Sequence, residues 1–262
     1  VRYHSDVVRQ AAAMRVYAPI MRAFLQRAAL VLPTSQRYLD SSPHLQAVRA
    51  RCRVVPLGID AAPFAETDAA AVAALHARYG DAFVLYAGVH RYYKGLHVLI
   101  EAAAGIDAPV VIAGDGPERA RLEELAQRIG APVTFAGRLS DAALVAHYQA
   151  AAVFAFPSVA RSEAFGLTIL EAHAGGTPVV ATRLGTGVEY ANAHGRTGLN
   201  VAPGDPGALA DAVNTLLADP ARRAEMGAYA RARVAREFDG ARVARAEFEA
   251  YEDARRWATG HT

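Results

Sequence analysis

The sequence predicts an α/β protein built on a doubly wound parallel sheet, and three observations carry that prediction. From Asp81 onward, short apolar runs rich in β-branched and aromatic residues alternate with segments of helical periodicity. Glycine, proline and aspartate mark the ends of these runs, as in Gly114-Asp115-Gly116-Pro117 and Gly175-Gly176. The chain is 53% hydrophobic and 21% charged, enough apolar surface to bury a core in 262 residues. Strands alternating with helices can pair in parallel only through crossovers, and the crossovers cover both sheet faces.

The first 57 residues read as a separate block. A helix is expected over residues 6–29, then a strand over 30–34, a polar break at Ser41, Ser42 and Pro43, and a second strand over 53–57. Gly58, Ile59 and Asp60 mark the junction to the next domain. On the expected helix, Met14, Tyr17, Met21, Phe24 and Leu25 share one side, and Arg9, Arg15, Arg22 and Arg27 occupy the other. Pro19 predicts a kink. Two readings fit this pattern: a helix packed on a core, or a basic surface resting on anionic lipid.

Beyond the junction, residues 83–87 form the first strand of the larger block. Leu96, Leu99, Ile100 and Ala103 then define one helix face. Strands follow at 109–113, 133–136, 153–157 and 178–182, separated by helices through Leu122 and Leu125, over 141–151 and over 166–174. Asp205-Pro206 and Asp219-Pro220 each place a capping carboxylate before a first-turn proline, so two more helices start there. These features divide the chain into 1–57, 58–237 and a tail over 238–262.

Composition narrows the function. Lys plus Arg is 28 and Asp plus Glu is 26, a net charge of +2, which argues against a nucleic-acid partner. Cys52 is the single cysteine, so no internal disulfide forms, in keeping with a cytoplasmic location, including the inner face of a membrane. No run has the length of a membrane span, and no ligand spacing for a metal is found. Gly114-Asp115-Gly116-Pro117 lacks the third glycine of a dinucleotide fingerprint, so no nicotinamide cofactor is expected.

The residues that can do chemistry lie in loops at the carboxyl ends of strands, where an open parallel sheet forms its crevice. Glu163 is in the loop after one strand and Glu171 stands eight residues on, inside the next helix. Gly166 lets a ligand approach the free N–H groups at that helix start, which favour phosphate or a polar sugar. Glu171 can accept hydrogen bonds from a ribose diol; a surface salt bridge is the plain alternative. Lys94, followed by Gly95 in Gly88-Val89-His90-Arg91-Tyr92-Tyr93-Lys94-Gly95, can neutralise a diphosphate. Gly185-Thr186-Gly187-Val188-Glu189 is a further loop on this side.

Glu163…Glu171, with Pro157-Ser158 before it and Gly175-Gly176-Thr177-Pro178 after it, resembles the E-x7-E motif of retaining glycosyltransferases of family 4. The resemblance implies the GT-B fold, no metal or other cofactor, and transfer of a hexose from a nucleotide sugar to a glycan or polyprenyl-linked acceptor. It implies that Glu163 lies by the donor sugar, that Glu171, with Phe165, Gly166 and Leu167, lies at the nucleotide, and that Lys94 meets the diphosphate. It further implies that Gly88 lies in the diphosphate loop and that Arg138 and Leu139 bracket the base through main-chain groups. The family's G-R-x4-K-G pattern places an arginine where this chain has Val89, so Arg91 becomes the substitute candidate. His4 matches a histidine that lines the cleft from the first domain. The string from His4 to Gln10 is similar to that of bacterial exopolysaccharide and lipid-linked-oligosaccharide mannosyltransferases, which points to GDP-mannose. Members of the family devote a first domain of comparable size to the acceptor. The 57 residues before Gly58, opening at Val1 without a methionine, are therefore expected to be only its final part.

Overall fold

The computed structural model describes residues 1–4 and 11–258, leaving aside the side chains of 11–16 and 258. The expected helical start over 6–10, with Arg9, lies outside the described residues, as do the side chains of Met14 and Arg15. A short strand β1 (Arg2–Tyr3) pairs in parallel with β2 (Leu32–Pro33), and between them runs α1 (Ala11–Arg27). Two short helices follow, α2 (Gln36–Ser41) and α3 (Pro43–Gln46).

The larger sheet is wholly parallel. After α4 (Ala69–Tyr79) come β3 (Val84–Ala87), α5 (Leu96–Ala102), β4 (Val110–Ala113), α6 (Arg119–Ile129) and β5 (Val133–Gly137). The chain continues through α7 (Asp141–Ala150), β6 (Val153–Phe156), α8 (Leu167–Gly175), β7 (Val179–Thr182), α9 (Val188–Ala191) and β8 (Gly198–Val201). Three helices close it: α10 (Pro206–Leu217), α11 (Pro220–Glu237) and α12 (Gly240–Ala258). Asp205 and Asp219 cap α10 and α11 as their spacing predicts, accepting from Ala208 N and Arg222 N at 2.9 Å each.

Strand order is β5-β4-β3-β6-β7-β8. Sequence therefore runs outward from β3 on one side, returns to β6 beside it, and runs outward again. The order reverses between β3 and β6, which makes that pair the switch point of the doubly wound sheet. Alternate strand residues serve opposite faces. Leu85, Val111, Phe154 and Val179 pack under α4, α7, α8 and α11, while Val84, Val110, Val153 and Val180 pack under α5, α6 and α10. Burial on both faces explains why the four central strands read as unbroken apolar runs.

Three expectations are corrected. The sixth strand of this sheet, β8, is not apparent in the sequence, because Gly198 and Asn200 give it little strand character. Gly198 is required by space: a Cβ there would stand 1.8 Å from the Val179 carbonyl oxygen. Residues 53–57 run beside β2 without forming a strand. Arg53 N donates to Val31 O and Val55 N to Pro33 O, each at 3.0 Å, and two such bonds are too short a ladder to make a strand. On α1, the expected apolar face is only partly covered. Leu25 is buried and Met21 half-buried, but Tyr17 is 50% and Phe24 58% exposed, because a sheet two strands wide offers the helix little surface.

The far edge of the large sheet is held by a buried polar cluster. Asn192 Nδ2 donates to Asn200 Oδ1 at 2.8 Å and to Leu199 O at 3.0 Å, and its Oδ1 accepts from Thr197 Oγ at 2.9 Å. All three polar side chains are buried. An unmet buried polar group costs more than its bond contributes. Asn192→Ala is thus expected to lower the free energy of unfolding by about 2–4 kcal/mol, read from urea denaturation. A loss below about 0.5 kcal/mol, the size of an ordinary surface effect, would show that the cluster is not holding β8.

Candidate active site

The loops after β3 and β6 are pressed together at the switch point. Residues Tyr92–Lys94 make one 3-10 turn, and Gly95 follows with φ of +68°. A Cβ at Gly95 would lie 1.9 Å from the Pro157 carbonyl oxygen, so only glycine lets the two loops approach this closely. Val159 N donates to Tyr93 O at 2.8 Å and fastens them.

That approach brings Lys94 Nζ to 2.5 Å from Glu163 Oε2. Ser158 Oγ donates to the same carboxylate oxygen at 3.1 Å, and the ammonium lies 5.4 and 5.3 Å from the ring centres of Tyr93 and Phe156. Little of either charged side chain is exposed, 14% for Lys94 and 10% for Glu163, so each is tolerable there because the other is present. The Glu163 backbone is pinned as well, its carbonyl accepting from Thr186 Oγ at 2.9 Å.

Glu171 sits in the second turn of α8, behind Gly166 and Leu167 at the helix start. Gly166 takes φ of +89°, Phe165 is buried beneath the loop, and Leu167 is 42% exposed at its mouth. Glu171 Oε2 accepts from Tyr148 Oη at 2.8 Å. Burial raises the Glu171 carboxyl above the usual carboxylate range, while the Tyr148 hydrogen bond and the charge of nearby Lys94 pull it back.

A cavity of about 500 Å³ opens over the ends of β3, β4 and β5, lined among others by Gly88, Val89, Gly114, Asp115, Arg138 and Leu139. Arg138 Nε lies 3.4 Å from Asp115 Oδ2 across it. The Asp115 carboxyl is held below the usual range, mainly by the Gly116 N–H that it accepts. Gly88, Arg138 and Leu139 are thus gathered in one place. Arg91 is not with them: it faces a separate cleft of about 490 Å³ between α5 and α6, together with Tyr92, His97 and Arg121. His4 is exposed at the end of β1, and the neighbouring Tyr3 packs in the same cluster as Ala164, next to Glu163.

The loop over 185–189 is tied to both blocks. Arg161 Nη1 donates to Gly185 O at 2.9 Å and Nη2 to Ser41 Oγ at 3.0 Å. Glu189 accepts from Gly185 N and Thr186 N at 3.1 and 3.2 Å, and pairs with Arg37 at 3.1 Å. Sequence reasoning missed Tyr148 and Arg161, named Thr186 only as part of the 185–189 loop, and quoted Ser158 only as context for the glutamate motif. A tyrosine on a helix announces that its hydroxyl needs a partner, but nothing in the spacing says that the partner is Glu171, 23 residues away.

A doubly wound parallel domain beside a small second sheet has the architecture of the GT-B class of glycosyltransferases. The chain belongs to the glycosyl transferases group 1 family, whose model matches residues 71–233. It is 39% identical over 234 residues to the D-rhamnosyltransferase WbpZ of Pseudomonas aeruginosa, covering 89% of this chain and 61% of that protein. To the O-antigen chain mannosyltransferase C of Escherichia coli it is 37% identical over 217 residues, covering 82% and 58%. The chain thus spans about three fifths of the length of these curated relatives. Its fold matches that of HepE from Anabaena in complex with UDP, with a TM-score of 0.84 at 24% identity over 96% of this chain and 71% of that one. The sucrose-phosphate synthase of Thermosynechococcus elongatus aligns with a TM-score of 0.82 at 30% identity, over 96% and 66%.

The raised carboxyl of Glu171 has a consequence for stability. A carboxyl whose folded-state pKa lies above its unfolded value of 4.5 stabilises the fold below that value, and this contribution is lost as pH rises through the folded-state pKa. At about pH 7 the ionised group therefore destabilises the unliganded protein. Glu171→Gln is expected to resist urea better than the parent near pH 7, with the difference closing at about pH 4. A variant less stable than the parent at neutral pH would contradict the desolvated state of this carboxylate.

Proposed function

We propose that this chain is the donor-binding part of a retaining hexosyltransferase, acting on a nucleotide sugar and a glycan or polyprenyl-linked acceptor. The observation that carries this reading is the Lys94–Glu163 pair at 2.5 Å, set at the sheet's switch point with Glu171 in the helix that follows. Residues 1–57 would be the end of the acceptor-side domain, 58–237 the donor domain and 238–262 the tail that returns to the first. In support of that division, α12 packs Val243 and Ala250 against Leu32 and Val55, and Arg53 pairs with Asp253 at 2.8 Å.

In this reading the base enters the cavity beside Gly88 and Leu139, and the ribose hydroxyls meet Glu171. The diphosphate draws Lys94 away from Glu163. Two results follow from that one exchange. The ammonium neutralises charge that grows on the leaving diphosphate as the sugar becomes oxocarbenium-like, helped by the positive end of α8 at Gly166. The released Glu163 oxygen, still oriented by Ser158, accepts from the donor sugar's hydroxyls. Val89 supplies no charge to this step, and Arg91 faces another cleft, so Lys94 carries the cationic role. The exposed Val89 favours one second reading, a binding module that holds the nucleotide sugar without transferring it.

GDP-mannose is the donor favoured here, and the similarity to a mannosyltransferase supports it. A thermal-shift panel of GDP-, UDP- and ADP-sugars tests that choice, with the largest stabilisation expected from GDP-mannose. Lys94→Ala and Glu171→Ala are each expected to weaken donor binding about tenfold or more, the scale of a lost charged hydrogen bond. A Glu171→Ala protein that binds as tightly as the parent would remove the ribose assignment. Donor binding with neither transfer nor donor hydrolysis would favour the binding module.

Peripheral contact with a membrane, at its cytoplasmic face, belongs to the same proposal. Tyr17, Ile20 and Phe24 are exposed on α1 beside exposed Arg22 and Arg27, a surface suited to anionic lipid. No helix among the described residues is long and apolar enough to cross a membrane. Co-sedimentation with anionic vesicles is expected, and to fall when Tyr17, Ile20 and Phe24 are changed to serine. Undiminished binding by that variant would exclude α1 as the contact.

A further inference from the structure

We infer that Tyr148 is a positioning residue for the nucleotide's ribose, holding the Glu171 carboxylate in the one orientation that receives the ribose hydroxyls. The inference rests on the reading of Glu171 as the ribose acceptor and adds to it a residue from a different helix. Tyr148 lies on α7 and is fully buried. Its ring packs 5.4 Å from that of Phe154 and 6.1 Å from that of Phe64. Its carbonyl oxygen accepts from the hydroxyl of Thr177, just beyond the end of α8. Gly175 lets α8 lie against it, since a Cβ there would come within 3.0 Å of the Tyr148 side chain. The ring is therefore fixed before any ligand arrives, and its one polar atom is spent on Glu171 at 2.8 Å.

The consequence is directional. A glutamate in the second turn of a helix has three rotatable bonds, and a ligand that must order them loses affinity. Here the phenol O–H donates to Oε2 and stops that rotation, leaving Oε1 for the ribose. The groups that bear on this carboxylate are Tyr148 and Asp141 from α7 and Lys94 from the loop after β3. Tyr148 and Lys94 favour its anionic form, whereas Asp141 and burial oppose it. Removing the phenol thus loosens the acceptor and moves its protonation to higher pH.

The test compares GDP with 2′,3′-dideoxy-GDP, and UDP with its dideoxy counterpart, by calorimetry on the 262-residue chain. In the parent, loss of the two hydroxyls is expected to weaken binding about tenfold or more. Tyr148→Phe keeps the ring and its packing, and is expected to cut that penalty to about threefold or less, while the pH at which GDP binding falls by half moves upward. In a Glu171→Ala background the same tyrosine change is expected to leave the ribose penalty unaltered, because the group it positions is gone. A Tyr148→Phe protein with the full penalty and an unmoved pH midpoint overturns the inference and leaves the donor-site reading intact. An equal effect of the tyrosine change with and without Glu171 overturns it also, by showing a purely structural role. A parent chain that does not distinguish the dideoxy nucleotides removes the ribose role of Glu171, and one that binds neither diphosphate removes the donor site itself.

Discussion

An ammonium and a carboxylate held against each other with little water around them govern the rest of this site. Lys94 and Glu163 come from loops that are 69 residues apart in sequence and belong to adjacent strands. Neither charge would be stable in that position alone, because the loss of hydration would exceed anything the surrounding neutral groups return. The loops must therefore meet, and the side-chain-free Gly95 under the Pro157 carbonyl is what permits it. The pair is also a store of recognition. On the proposed donor reading, a diphosphate would offer the ammonium more negative charge than one carboxylate does, and the donor sugar's hydroxyls would take up the carboxylate.

Around this pair the structure spends its other polar groups on orientation. Ser158 and Thr186 hold Glu163 by side chain and backbone, while Tyr148 holds Glu171. The 500 Å³ cavity beside them has largely apolar walls with one charged pair, Asp115 and Arg138, across it. Such a division, an apolar recess and converging charges on the carboxyl side of one sheet, is the usual make-up of a small-molecule site. Membership of the glycosyl transferases group 1 family is consistent with that make-up.

Much of the fold was legible because doubly buried strands leave a plain mark. Runs such as Val153 to Phe156 carry no polar residue, and the aspartates before Pro206 and Pro220 are helix starts that spacing alone declares. Lys94 and Glu163 were singled out as loop residues after strands and Glu171 by its spacing from Glu163, and the structure brings Lys94 and Glu163 into contact. What escaped depends on distant partners. β8 forms because Asn192 and Thr197 complete its polar needs, not because its own residues favour extension. Tyr17 and Phe24 have the right period for a packed face, but period cannot report how wide the opposing surface is. Arg91 was the natural replacement for the arginine absent at Val89, and the turn at Tyr92–Lys94 instead leaves it facing another cleft. Tyr148 was silent because a hydrogen bond between two helices has no signature in either.

Arg161 carries an implication for motion. Its guanidinium joins Ser41 of the first block to Leu184 and Gly185 of the second, and Ser41 Oγ itself donates to Gly185 O at 2.6 Å. The backbone of that second loop continues into Thr186, whose hydroxyl grips Glu163. A hinge between the blocks would pull on this chain of contacts like a drawstring. The tilt of one half would be felt at Glu163 through three consecutive linkages.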